Sequence, residues 1–261
     1  MDISLIGKNA LVCGSSRGIG QASAIVLSNQ GANVTLAARS EDKLKETLNE
    51  LDTSKGQEHD YIIVDFSDQE DLRKQIQSLT SKKNISILVN NTGGPPGGPI
   101  IEAKTEAFLD AYNKHLVCNH ILATAVIDGM VKSGYGRIIN IISTSVKAPL
   151  NGLGVSNTTR GAVASWAKTM ANELGSKGIT VNNVLPGFTS TDRLEEIIQN
   201  KTRKTGSTYE AVTDGMKSTV PLNRFASPSE VANAVGFLAS PAASYITGIN
   251  LPVDGGRTKS L

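Results

Sequence analysis

The sequence predicts an α/β fold, a doubly wound parallel sheet with helices on both faces, and three observations carry the prediction. Short β-branched runs alternate with helical stretches along the whole chain. Only 4% of the 261 residues are aromatic, so the interior must be built of Ile, Val, Leu and Ala, the composition of a sheet covered on both sides. No repeat of fixed period, low-complexity segment or long Pro/Gly/Ser linker divides the chain, so residues 1–261 are expected to form one domain.

The elements follow in order. A first strand is expected at Asn9 to Cys13, then a turn holding Gly14, Gly18 and Gly20, then a helix with Ile19, Ala22 and Val26 on one face. After a second strand, Asn33 to Ala38, Leu44, Leu48 and Leu51 recur at i, i+4, i+7 and mark a helix laid on a sheet. The third strand is Tyr61 to Val64; Ser67 and Glu70 have the spacing of a capping box for the next helix, whose apolar face is Leu72, Ile76 and Leu79. Strands at Ile85 to Val89, Arg137 to Ile142 and Ile179 to Val184 complete six runs. Strands joined by helices run parallel with right-handed crossovers and hold ligands at their carboxyl ends, so the motifs should follow strands. Ser227, Pro228 and Glu230 form a second capping box. Two stretches break the rhythm: Gly93 to Pro99 (GGPPGGP), and a polar segment, 189–219, expected to be an inserted, mobile lid over the substrate.

Composition excludes several classes. Twenty-six Lys and Arg against 24 Asp and Glu leave +2, scattered along the chain, so neither a nucleic acid nor an anionic membrane is an expected partner. No apolar run approaches the ~18 to 20 residues that span a bilayer, and Met1 to Asn9 carries no basic region followed by a hydrophobic stretch; a soluble, cytoplasmic protein is expected. Cys13 and Cys118 are far apart without CxxC spacing, and the three histidines are irregularly spaced, so neither a disulfide framework nor a metal site is expected.

The chemistry starts at the first turn. Gly14, Gly18 and Gly20, with Ser15, Ser16, Arg17 and Ile19 between them, follow a strand and open a helix. This Rossmann-type arrangement lets backbone N–H groups and the helix dipole hold a pyrophosphate. Where an NAD-binding fold presents an acid to the ribose 2′-hydroxyl, this chain has Arg39, with Arg17 in the glycine loop; two guanidiniums suit a 2′-phosphate, so NADP(H) is favoured over NAD(H).

On the stretches VCGSSRGIG (12–20), VDFSD (64–68), NNTGG (90–94), RIINIIS (137–143), VNNVLPGFTSTD (181–192) and YITGINLPVDGG (245–256), the sequence resembles the short-chain dehydrogenase/reductase family, in its 3-oxoacyl-acyl-carrier-protein reductase-like branch. The resemblance covers nearly the whole chain. It implies a Rossmann sheet of about seven strands, Asp65 at the adenine, Asn91 and Gly93 lining the cofactor channel, and Pro186, Gly187 and Thr191 bordering the nicotinamide. It also implies a dimer or tetramer and a ketone or acyl-thioester substrate.

The catalytic set departs from the family. Its members carry a Tyr and a Lys four residues apart on one helix; the flanking GAVASWAKTMANEL (161–174) aligns Ser156 with the tyrosine and Arg160 with the lysine. No YxxxK occurs: four residues after Tyr61, Tyr112, Tyr135, Tyr209 and Tyr245 stand Asp65, Leu116, Ile139, Thr213 and Ile249. Ser143 keeps the family's active-site serine position, and His115 aligns with its helix asparagine. Serine is a far weaker acid than a phenol, and a guanidinium does not release its proton, so the loss of a general acid should cost ~10² to 10⁴ in rate. His115, with an ordinary pKa near ~6.5, is the candidate acid. The leading expectation is an NADP(H)-dependent reductase of a ketone or 3-oxoacyl group. The alternative is a non-catalytic dinucleotide sensor or partner subunit. The GGPPGGP loop is read as a docking or substrate-closing surface, or equally as structural packing.

Overall fold

The structure, a computed structural model, describes residues 1–260. Seven parallel strands lie in the order β3-β2-β1-β4-β5-β6-β7, with the strand order reversing between β1 and β4. β1 (Asn9–Cys13) and β2 (Asn33–Ala38) have the expected bounds. β3 (Asp60–Ile63), β4 (Ile87–Asn90), β5 (Gly136–Ile141) and β6 (Ile179–Pro186) sit within two residues of the expected ones, and β7 (Asn250–Val253) closes the far edge.

Strand alternation divides the interior into two layers. Leu11, Leu88, Ile138 and Val181 face α3 (Gln69–Thr80), α5 (Cys118–Ser133) and α6 (Gly154–Leu174). Val12, Val89, Ile139 and Val184 face α1 (Gly18–Asn29), α2 (Glu41–Asn49) and α9 (Pro228–Ala239). Cys13 and Cys118 are free thiols buried in the first layer.

One row of side chains crosses that aliphatic interior. Asn90, Asn140, Asn183 and Asn250 stand at facing register positions of β4 to β7. Each Nδ2–H₂ donates to the next Oδ1, at 2.8 Å, 2.9 Å and 2.8 Å. Because the four asparagines stand in one register row, this amide chain is broken by any one-residue slip.

Two expectations are corrected. α3 is capped by Asp68, whose side chain accepts from Asp71 N–H at 2.9 Å, not by Ser67 and Glu70. The Asp65 carboxylate takes the N–H and hydroxyl of Ser67 in a tight turn, and Glu70 turns outward to Lys74. α2 ends at Asn49, so Leu51 packs from the following loop. The 189–219 segment holds α7 (Asp192–Thr205) and α8 (Tyr209–Lys217), capped by Thr191 and Thr208. Leu194, Ile198, Val212 and Met216 form a small core of their own against Phe188 and Phe225. Gly206 ends α7 in the left-handed conformation, φ 66, which is a stop signal for the helix. The Ser227 and Glu230 capping box is present as expected.

Replacing Asn140 by Ala should destabilise the protein by about 2 to 5 kcal/mol in urea unfolding, since it orphans a buried donor on one side and an acceptor on the other. Asn250→Ala, at the half-buried end of the row, should cost about 1 to 2 kcal/mol.

Candidate active site

The turn from β1 into α1 is tied to both neighbouring strands. Gly14 and Gly18 each have φ +59, and a Cβ on Gly20 would collide with the Gly14 carbonyl. Asn91 Nδ2 donates to the carbonyls of Cys13 and Gly14, at 3.3 Å each, and so fastens the end of β4 to the turn. Ser15 is fully buried and its Oγ accepts from Ala37 N–H of β2 at 2.9 Å. Ser15 and Asn91, expected to contact the cofactor, thus hold the turn in shape with their side chains. Ser16 and Ile19 are half-buried beside it.

The turn fits a pyrophosphate. No side chain caps the start of α1, so its first backbone N–H groups are left for a ligand, and bare glycines let that ligand approach the backbone. The two arginines do not share one partner. Arg17 Nη1 donates to Asp192 of α7 at 2.8 Å, an exposed pair across 175 residues of chain. Arg39, exposed after β2, makes no ion pair among the described residues, and its charge helps Ser67 hold the Asp65 carboxyl below the usual carboxylate range.

The second half of the cleft is built by β5, α6 and the helix preceding α5. Ser156 and Arg160 stand one turn apart on α6. Ser143, just past β5, accepts from Ser145 N–H at 3.1 Å and caps a short 3₁₀ turn, Thr144–Val146. Arg160 is 8% exposed; its Nη1 donates to the Ile141 carbonyl at 2.9 Å, and burial lowers its pKa to about 10, which leaves it charged. His115 lies in a single π-helical turn, Asn113–Val117, that joins α4 (Thr105–Tyr112) to α5. Such turns often mark functional sites. Burial, then the Arg160 charge, lower the His115 pKa to about 2, against a hydrogen bond to the Gly93 backbone that favours the cation. At working pH the imidazole of the ligand-free protein is therefore neutral.

α7 lies over the glycine turn. Pro186 ends β6, and a Cβ on Gly187 would stand 2.7 Å from the Asp254 backbone, so only glycine lets the chain pass the carboxyl-terminal segment. Thr191 approaches within 3.3 Å of where a Gly18 Cβ would be. Arg193 Nη2 donates to the Pro95 carbonyl at 3.1 Å, and Gly98 N–H donates to the Gly152 carbonyl at 2.7 Å. The GGPPGGP loop is thereby held between α7 and the start of α6, with Gly93, Gly94, Pro96, Gly97 and Pro99 exposed. Asp192 and Arg193, which anchor α7 on both sides of the cleft, carry no signal in sequence beyond their place after the Thr191 cap.

An open α/β sheet with a glycine turn at its strand-order reversal and polar groups at the adjoining strand ends defines a dinucleotide-binding protein of the reductase type. The family model described as enoyl-(acyl carrier protein) reductase matches residues 14–258. The 3-oxoacyl-[acyl-carrier-protein] reductase of Pseudomonas aeruginosa is 35% identical over 264 aligned positions, covering 99% of this chain and 100% of its own. That of Vibrio cholerae is 36% identical over 258, covering 97% and 98%. Among solved structures, L-sorbose reductase from Gluconobacter frateurii, complexed with NADPH and L-sorbose, superposes with a TM-score of 0.93 at 32% identity over 100% of both chains. The chain belongs to the short-chain dehydrogenase/reductase family and is 3-oxoacyl-[acyl-carrier-protein] reductase-like. No helix among the described residues is long and apolar enough to cross a membrane.

Two outcomes follow for the site. Gly20→Ala should abolish NADPH binding measured by calorimetry, because the collision is with backbone that cannot turn aside. His115 binds its proton in the unfolded chain near pH 6.5 but in the folded one only near pH 2, so its contribution is complete above pH 6.5 and is lost as pH falls below it. The wild type should therefore lose about 1.4 kcal/mol per pH unit between pH 6 and 4 relative to His115→Gln, measured by denaturant unfolding.

Proposed function

We propose that the protein is an NADP(H)-dependent reductase of a carbonyl compound, a ketone or 3-oxoacyl group, in which Ser156 and Arg160 take the places of the family's tyrosine and lysine. The uncapped glycine turn, with Arg39 standing free after β2, is the observation that carries the reading. NADPH in the complexed sorbose reductase supports the choice of cofactor. The turn and α1 would hold the pyrophosphate, Arg39 the 2′-phosphate, Asp65 the adenine, and Gly93, Pro186, Gly187 and Thr191 would border the nicotinamide. Arg17 reaches the phosphates by leaving Asp192. When bound, the dihydronicotinamide supplies a hydride to the carbonyl carbon.

The remaining work falls to the chain. Ser143 and Ser156 orient the carbonyl by donating hydroxyl hydrogen bonds to its oxygen. Arg160 stabilises the negative charge that gathers there, in a place where little water screens it. Because neither the guanidinium nor the neutral His115 releases a proton at working pH, the oxygen takes its proton from water. α7 and α8 close the substrate side of the cleft. A homo-oligomer, dimer or tetramer, belongs to the same reading, supported by exposed Ile101, Leu109 and Tyr112 at and before α4.

The second reading, a non-catalytic dinucleotide sensor or partner subunit, is favoured by the absence of a transferable proton beside Arg160. NADPH oxidation against a panel of ketones and 3-oxoacyl thioesters separates the two: turnover is expected, and binding of NADPH without turnover of any member supports the sensor. Arg39→Ala should weaken NADPH by about 10- to 100-fold while changing NADH by less than about threefold. Ser156→Tyr with Arg160→Lys should raise ketone turnover by about 10² or more if the site runs the family's chemistry without its acid.

A further inference from the structure

Arg160 is a buried cation with no anion. No carboxylate among the described residues pairs with it. Burial alone acts on its ionisation, with no neighbouring charge contributing. A guanidinium withdrawn from water carries a large desolvation penalty unless it is paired. Nη1 is taken by the Ile141 carbonyl, whereas Nε and Nη2 make no hydrogen bond among the described residues and neither is sealed off. Bare backbone passes beside them: a Cβ on Gly94 would stand 3.8 Å from Nη2, and one on Gly93 would meet nothing within 4 Å. His115, the other titratable group facing the guanidinium, stays neutral and leaves the positive potential uncompensated.

Resting on the reductase reading above, we propose that Arg160 receives a carboxylate of the substrate, so that the substrate is an oxo acid whose carboxylate adjoins the reacting carbonyl. The free edge of the guanidinium offers two parallel N–H groups, the geometry a carboxylate accepts. Ser156, one turn earlier on the same face of α6, lies within reach of the carbonyl of the same small molecule. A neutral ketone would leave the cation as unpaired as it stands in the free protein.

Oxalate, which has the planar spacing of a 2-oxo acid, and oxamide, its neutral isostere, titrated calorimetrically into NADPH-saturated protein test the proposal. Oxalate should bind at least about tenfold more tightly than oxamide, and Arg160→Gln should weaken oxalate by about tenfold or more, with Arg160→Lys between. Equal binding of the two probes, no oxalate binding, or oxalate binding unchanged in Arg160→Gln overturns the proposal. Loss of NADPH binding in Arg160→Gln with oxalate affinity retained assigns the guanidinium to the cofactor and also overturns it. Should Arg160→Gln fail to fold, the probe ratio in the wild type and in Arg160→Lys decides. In turnover, Arg160→Lys should raise KM for pyruvate by at least about fivefold more than KM for methyl pyruvate; an equal change in kcat and KM for both overturns it. A wild type that binds no NADPH refutes the reductase reading alone, and the oxalate to oxamide ratio on the free protein then decides this one.

Discussion

The close passage of Gly20 beneath the Gly14 carbonyl is the constraint on which the site depends. It brings α1 down onto the sheet directly after β1 and points the open end of the helix at the strand-order reversal. Two side chains keep it there from opposite sides, Ser15 accepting from β2 and Asn91 donating from the end of β4. Each group spent on holding the turn is a group not aimed at a ligand. On the proposed reading the pyrophosphate falls to the backbone of the turn, which cannot change rotamer, and preorganised donors of that kind cost nothing further on binding.

The other half of the cleft works by charge where the first works by shape. Arg160 and His115 lie close enough for the guanidinium to disfavour protonation of the imidazole, and burial acts on both in the same direction. Of the two, only the group with the higher intrinsic proton affinity keeps its charge, so the site holds one fixed cation and one neutral ring. The π-helical turn carries His115 with its ring buried.

Much of the fold was legible because the periodicities are strong: Leu72, Ile76 and Leu79 are all buried on α3, and the first two strands fall where β-branched runs placed them. Boundaries failed where side chains compete for the same backbone. Ser67 matches a capping pattern, yet Asp65, two residues earlier, captures its hydroxyl, and the helix starts one residue later on Asp68. α7 and α8 were hidden because each buries only two residues, Leu194 with Ile198 and Val212 with Met216, too few to rise above a polar background. In the site, the glycines were readable because their chemistry is local. The ionisation of His115 was not, since it is set by Arg160, 45 positions away in sequence, and by burial that sequence spacing does not encode.

The unpaired guanidinium also bears on whether the cleft is a binding site alone. A module that only senses a dinucleotide is served by the glycine turn, Arg39 and Asp65, all of which lie on the β1 to β3 side of the sheet. A cation buried on the β4 to β5 side adds nothing to that recognition and destabilises the fold, because its desolvation is offset by one carbonyl hydrogen bond. An apolar residue at the same place would pack as well without the penalty. Ser143 and Ser156 keep hydroxyls on the same side of the sheet, with Oγ of Ser156 taken by no group among the described residues. On the proposal above, a second molecule that brings a negative oxygen completes this half of the cleft. On that reading the glycine turn and the cationic half are two recognition surfaces meeting at the ends of β4 and β5, and chemistry between their ligands is the use that requires both.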